Sequence, residues 1–498
     1  MYTLGFDVGS SSVKAAVLNL ETGKVEASAF FPKTEMPITA LRAGWAEQDP
    51  NMWWENLKLA TAEVLSTSRI KRDRILAVGI SYQMHGLVLV DTDGNTLRPS
   101  IIWCDSRAVE IGRKAFSSIG DEKCLGSLLN SPGNFTASKL RWVKENEPRI
   151  YDRIDKFMLP GDYIAMKLTG DASTTLSGLS EGIFWDFKNH STAAFLLDHY
   201  GIETRLLPPV VPTFGEQGRL NRFASQALDL PEGIPVSYRA GDQPNNALSL
   251  NVLEPGEIAA TAGTSGVVYG VSDTLKYDQA SRVNSFAHVN YRSDAQRIGV
   301  LLCINGTGIA NSWIRRLTGQ QSVDYALLND AASGIASGSG GIIVLPFGNG
   351  AERMLENHDI GAHFLNLQFN IHTQAHLIRA VQEGIAFAFN YGIEIMHGMQ
   401  IRPTVIRAGL ANLFLSPIFA ETLAQTAGVA IELYSTDGAQ GAARGAALGI
   451  KHFASRKEMF NGLERLKIIE PQSSRNAEYT ELYQHWCSAL NQILQSKG

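Results

Sequence analysis

The sequence predicts an α/β protein of two related domains with a cleft between them, and three observations carry that expectation. The 498 residues exceed what a single core organises. Apolar strand-like runs alternate with helix-periodic segments in both halves. A strand, Gly/hydroxyl turn and strand unit also occurs twice. Tyr2–Val8, Gly9-Ser10-Ser11-Ser12 and 13–20 are matched by Glu257–Ala262, Gly263-Thr264-Ser265-Gly266 and 267–271. Placing Gly9 on Gly263 aligns Ser10 with Thr264 and Ser11 with Ser265, an offset of 263 − 9 = 254 residues, about half the chain. The expected division is therefore 1–250 and 251–498, with Pro255-Gly256 supplying a turn at the boundary.

In chain order, 50–66 reads as an amphipathic helix with Trp54, Leu57, Thr61, Val64 and Leu65 on one face. A buried strand follows at 75–80, then a second strand at 87–91 and a turn at Asp93-Gly94. A short strand over 234–238 leads into Ala240-Gly241-Asp242. In the second half, 375–396 has helical spacing at Leu377, Val381, Gly384, Ile385 and Ala388. Ser416-Pro417 reads as an N-cap and N1 proline opening a helix that stops before Gly428. Trp53, Trp54 and Trp313 are assigned to packing.

Composition narrows the function. With 44% apolar and 19% charged residues and a net charge of -5, the chain offers no basic surface for nucleic acid or an anionic membrane. The four cysteines, Cys104, Cys124, Cys303 and Cys487, are scattered without a CxxC pair. The first residues lack a basic and apolar leader, and no run approaches 18 apolar residues, so a cytoplasmic protein is expected.

Phosphoryl transfer needs backbone N–H donors around the phosphates and a carboxylate near the metal. The paired turns suit the first task, through Ser10, Ser11, Gly263 and Thr264. Asp7, at the end of the first strand, suits the second by holding Mg²⁺ through water. Taken alone, each turn is equally an ordinary hairpin loop. GxxxxGK[ST], the protein-kinase signatures and a Rossmann fingerprint are all missing. Two such hairpins across a cleft are the arrangement of actin-like ATPases, whose domains are ribonuclease H-like.

The motifs in order resemble the FGGY carbohydrate kinases and, among them, the xylulose kinases. Asp7-Val8-Gly9-Ser10-Ser11-Ser12-Val13-Lys14 is similar to the first phosphate motif. Gly44-Trp45-Ala46-Glu47-Gln48-Asp49-Pro50, Gln83-Met84-His85-Gly86, Trp103-Cys104-Asp105-Ser106-Arg107 and Phe135-Thr136-Ala137-Ser138-Lys139-Leu140-Arg141-Trp142 resemble further signatures. Ala240-Gly241-Asp242 looks like the catalytic aspartate motif, and similarity runs on through Leu345-Pro346-Phe347 and Glu383-Gly384 to Gly438–Gly449. Three places depart from the pattern. The adenosine motif is Arg407-Ala408-Gly409-Leu410-Ala411-Asn412, Gln243 follows Asp242 where xylulose kinases commonly carry Asn, and Asp359-Ile360-Gly361 lacks the usual arginine.

The resemblance implies ATP-dependent phosphorylation of a ketopentose, D-xylulose foremost, with ribulose, fuculose, a heptulose or glycerol as other acceptors. A sugar- and ATP-binding protein without transfer activity is the reading from another class. It implies Asp242 as general base, with Asp242 and Asp7 near Mg²⁺. It also implies sugar contacts from Gln83, Met84, His85, Asp105, Asp242 and Gln243, with Asp105 accepting from two adjacent hydroxyls. Nucleotide contacts fall on Ser10, Ser11, Lys14, Gly263, Thr264, Gly308, Gly409 and Asn412, and a homodimer is the family habit. The residues alone leave alternatives. Asp242 could cap a helix starting at Pro244, His85 and Met84 could be structural, Lys14 could be solvated, and Gly409 could be a plain turn. Arg107 is read as an ion-pair partner of Asp105.

Overall fold

A computed structural model describes residues 1–319 and 322–497, and two mixed sheets organise it. The first contains β1 (Tyr2–Val8), β2 (Val13–Asn19), β3 (Val25–Phe31), β4 (Ile75–Tyr82) and β5 (Val236–Gly241) in the order β3-β2-β1-β4-β5. The β1–β2–β3 meander is antiparallel, while β1, β4 and β5 run parallel. The second contains β6 (Glu257–Ala262), β7 (Gly266–Ser272), β8 (Asn284–Ala287), β9 (Ile298–Ile304), β10 (Val405–Gly409), β11 (Ile431–Tyr434) and β12 (Arg465–Ile469). Its order is β8-β9-β7-β6-β10-β11-β12. The stretch β9-β7-β6-β10-β11 repeats the order and directions of the first sheet, with β8 and β12 added at the edges. The 254-residue repeat is thus a repeat of topology.

Helix α1 (Pro50–Ser68) begins where the sequence places it, with Pro50 in its first turn and the Asp49 carboxylate accepting from the Asn51 amide. Its predicted apolar face is buried against the meander, Trp53 and Trp54 included. Trp313 departs from expectation: it is 43% exposed and tilts against Phe364, because its helix Gly308–Leu317 lies at the wall of an open pocket.

One connection could not be read from chain order. Helix α2 (Gly438–Gly449), near the end of the chain, packs on the first sheet against β1, β4 and β5. Close approach is possible because the sheet carries Gly5 and Gly79 beneath it. A Cβ at either would sit 2.0 or 2.1 Å from the carbonyl oxygens of Ala439 and Ala442. Thr3 and Ser237 donate to the Ala443 and Ala446 carbonyls at 2.8 Å, so the buried hydroxyls are satisfied.

The long segment between β4 and β5 forms a further layer. Its core is continuous with the second sheet: Leu128, Phe135 and Leu179 cluster with Tyr269, Phe286 and Leu301. Asn130 exchanges two hydrogen bonds with the Ser285 backbone on β8, at 2.6 and 2.9 Å. Among the described residues no helix is long and apolar enough to cross a membrane.

Candidate active site

The carboxyl ends of β1, β4 and β5 lie side by side, Asp7 paired with Ser81 and Tyr82 with Gly241, so each strand delivers its next residues to one edge. That edge is where ligands bind in parallel sheets. Asp7 accepts a hydrogen bond from the Ser81 hydroxyl at 2.9 Å and faces Lys14 across the hairpin. It also lies under the amino end of α2, since a Cβ on Gly438 would be 2.4 Å from its Oδ2. Burial lifts the Asp7 carboxyl above its ordinary value; Lys14 and Ser81 oppose the shift, and Asp437 adds to it.

Asp242 follows Gly241 directly and is the first residue of the helix Asp242–Ser249. The helix begins two residues before Pro244, and its N-cap Gly241 has no side chain to bond, so the Asp242 carboxyl is not consumed by capping. Burial, and then the charge of Asp7, push it up to about 7, against the pull of the Gln243 amide groups. The two carboxyls therefore share one poorly hydrated site. Gly241 leaves room for its neighbours: a Cβ there would meet Glu181 Oε2 at 2.4 Å and Met84 Cγ at 2.5 Å.

His85 sits beside them in the left-handed region, with φ of 61°. The turn is held by partners on three sides. Its N–H donates to Glu181 Oε1 at 3.3 Å, its carbonyl accepts from Lys139 Nζ at 2.8 Å, and its Nδ1 is 2.9 Å from the Glu181 carbonyl. A carbonyl can only accept, so Nδ1 carries the proton. Burial, reinforced by Lys139, lowers the ring to about 3, which leaves a neutral imidazole with Nε2 as a free acceptor. The ring is wedged between Phe135 and Phe286, at 4.8 and 5.2 Å. Gln83, 2% exposed, donates weakly to Gln48 Oε1 at 3.4 Å. Its Oε1 and that of Gln243 have no partner among the described residues. Met84 is 4% exposed and belongs to the core beneath.

Asp105 corrects the sequence expectation. Its carboxylate is fully buried and already engaged: Oδ2 accepts from the Ala46 amide at 2.6 Å and from Arg107 at 2.7 Å, and Oδ1 accepts from the Arg107 amide. No face remains for two sugar hydroxyls. Arg107, stacked 3.9 Å from the Trp45 ring and paired with Glu47, makes this a structural network, as expected of the arginine.

The second hairpin repeats the design. Gly308 N–H donates to the Gly263 carbonyl at 2.9 Å and Ile309 N–H to Thr264 at 3.1 Å. This contact requires glycine, since a Cβ on Gly308 would stand 2.3 Å from the Gly263 oxygen. Gly263, Thr264, Gly308 and Asn412 line one pocket of about 540 Å³, which Tyr325 and Asn329 complete. Gly409 ends β10 beside that pocket and is not part of its wall. Ser10, Ser11 and Lys14 stand at the first hairpin, where the Ser10 hydroxyl accepts from Trp103 Nε1 at 3.4 Å. Cys303, on β9 beside β7, is exposed and feels the charge of Asp242, so the two halves face one cleft.

Sequence reasoning missed Glu181 and Lys139. Lys139 lies inside a quoted motif and is fully buried, with burial lowering its ammonium to about 7. Glu181 carries no local signal; its role arises only from the return of Leu176–Glu181 to the end of β4.

Comparison with known proteins identifies the family. Residues 2–249 match the N-terminal domain of the FGGY family of carbohydrate kinases, and residues 258–449 match its C-terminal domain. Xylulose kinases of Klebsiella pneumoniae and Escherichia coli are each 29% identical, over 96% of this chain and 96% of theirs. An L-xylulose/3-keto-L-gulonate kinase of Escherichia coli is 27% identical over 97% of this chain and 96% of its own. The crystal structure of xylulose kinase from Rhodospirillum rubrum superposes with a TM-score of 0.88 at 25% identity, covering 100% of this chain and 99% of that one. The chain belongs to the FGGY family of carbohydrate kinases, and its fold is the two-domain actin-like ATPase fold of that family.

Proposed function

We propose that the protein transfers the γ-phosphoryl group of ATP to the 5-hydroxyl of D-xylulose, with Asp242 as general base. The observation that carries this is the Asp242 carboxyl, held at about 7 by burial and by Asp7, at the strand end beside His85. A base with that affinity takes a proton near neutral pH without trapping it. The hydroxyl oxygen attacks the γ-phosphorus, the bond to the β-phosphate oxygen breaks, ADP leaves, and the hydroxyl proton passes to Asp242. His85 Nε2 and the unpartnered Oε1 atoms of Gln83 and Gln243 accept from the remaining hydroxyls, and Met84 packs beneath the sugar.

The two phosphate hairpins supply N–H and hydroxyl donors from Ser10, Ser11, Gly263 and Thr264, with Lys14 adding a charge. The pocket beyond Gly308 and Asn412 takes the adenosine. Asn329 suits the base there: its Oδ1 accepts from Gln382 at 2.8 Å, which leaves its amide donors for a ligand in the pocket it lines. The charge of Asp7 raises the proton affinity of Asp242, and a divalent cation held by these carboxylates would relieve that repulsion. Among the described residues no group of three or more His, Cys, Asp or Glu side chains is arranged to hold a metal. Two carboxylates with phosphate oxygens and water are the donor set Mg²⁺ takes. When bound, it neutralises charge on the phosphates. The working units are 1–250 for the sugar and first phosphate hairpin and 251–498 for the nucleotide, with α2 lent back to the first sheet.

A coupled ADP-release assay over a panel of ketoses, polyols and sugar acids tests the proposal. D-Xylulose should give the largest kcat/KM. Another acceptor leading the panel would replace it, and ATP turnover that no carbohydrate stimulates would overturn the kinase reading.

A further inference from the structure

The face of the second sheet that meets His85 carries a cation with no counter-ion. Asn284 and Phe286 lie two residues apart on β8, so their side chains share one face. Leu301, opposite Asn284 on β9, and Cys303 two residues further share it too. This face touches the sugar side, where the Phe286 ring lies 5.2 Å from that of His85. Arg353 reaches the same face from the turn after the strand Ile343–Phe347, donating from Nη1 to Asn284 Oδ1. It is half-buried, and among the described residues no carboxylate forms an ion pair with it. Its neighbour Glu352 is engaged at the end of β9, its Oε1 accepting from the Asn305 amide at 2.9 Å, and forms no ion pair with Arg353. The groups that feel the Arg353 charge are the Cys303 thiol and the neutral His85 ring.

A half-buried guanidinium held by one amide oxygen and no counter-ion keeps donors that a ligand can complete. Its five donors form a planar fork suited to two adjacent oxygens. The geometry points to Arg353 as a substrate-binding residue contributed by the second lobe, taking the pair of oxygens at the end of the sugar remote from the hydroxyl that Asp242 deprotonates. In a ketose that pair is the carbonyl and neighbouring hydroxyl oxygens; in a sugar acid it is the carboxylate, which the same fork would bind more tightly. This inference rests on the proposed kinase reading and adds to it a contact made from across the cleft.

Steady-state kinetics of Arg353→Met and Arg353→Lys in the full chain test it, with KM determined separately for D-xylulose and for Mg-ATP. Arg353→Met should raise the xylulose KM about tenfold or more while the ATP KM stays within twofold, and Arg353→Lys should recover only part of the loss. Xylonate should compete with xylulose on the wild-type enzyme and lose that competition in Arg353→Met, which separates the carboxylate source from the ketose. Xylitol, lacking the carbonyl, should be affected less than xylulose. Should Arg353→Met fold poorly, Asn284→Asp supplies the missing counter-ion and should raise the xylulose KM with the melting temperature retained. An unchanged xylulose KM in both variants, or a rise confined to ATP, overturns the inference and leaves the kinase reading standing. Absence of ketose-stimulated turnover in the wild type overturns that reading instead.

Discussion

Asp242→Asn should trade activity for stability, and both the gain and the loss should grow as pH rises. The folded protein holds the Asp242 carboxyl at about 7 against 3.8 in an exposed chain. At 1.36 kcal/mol per pH unit that difference is worth roughly 4 kcal/mol. Between those two values the folded state keeps a proton that the unfolded chain has released, so stability falls as pH rises through the window. Above about 7 the folded carboxyl is ionised as well and the cost levels off. Linkage gives a penalty of about 2 kcal/mol at pH 5 and ~4 kcal/mol at pH 8, both reduced where water in the open cleft reaches the side chain. Asparagine keeps the shape and cannot ionise. The variant should therefore melt later than wild type, with a larger advantage at pH 8 than at pH 5, while turnover falls 10²- to 10⁴-fold. In the wild type, kcat/KM should rise with pH, pass half its maximum near 7 and level off above about 8, with a deficit of about 30-fold at pH 5.5 relative to that plateau. Thermal melts at the two pH values and a pH–rate series from 5.5 to 8.5 measure all of this. A flat kcat/KM profile together with an advantage no larger at pH 8 would refute both the shifted base and its cause.

Three other outcomes follow from the same geometry. The clamp on His85 should act through sugar binding: Glu181→Ala and Lys139→Met should each raise the sugar KM about tenfold, while Glu181→Gln, which keeps an acceptor for the His85 amide, stays near wild type. Equal losses in Glu181→Gln and Glu181→Ala would exclude the hydrogen bond as the working part. Arg107→Met strands the buried Asp105 carboxylate and should cost about 3–5 kcal/mol in urea unfolding; full stability with lost sugar affinity would make the pair a binding element after all. Gly308→Ala drives a methyl against the Gly263 carbonyl and should raise the ATP KM about tenfold with the sugar KM unmoved, and unchanged ATP kinetics would argue against a nucleotide role for that turn.

Hairpins, helix ends and the order of motifs were legible in the sequence because they are local. Asp49-Pro50 opens α1, Ser416-Pro417 opens the helix Pro417–Ala427, and Gly428 closes it in the left-handed region, each through backbone chemistry confined to a few residues. The 254-residue repeat likewise foretold two sheets of one topology, since the same strand and turn pattern folds the same way twice. The identity of Asp242 as the residue at the end of its strand was equally accessible.

What Asp242 and its neighbours experience was decided by tertiary structure. Whether a carboxylate is free or spent depends on partners distant in sequence. Asp105 reads as a sugar acceptor until Ala46, 59 residues away, and Arg107 are seen to saturate it. His85 became a neutral acceptor through Glu181, 96 residues on, and Lys139, 54 residues on. Asp7 gained its setting from α2, whose glycines and alanines bring the far end of the chain onto β1. Burial and charge act through space, and the chain fixes those distances only when it closes on itself.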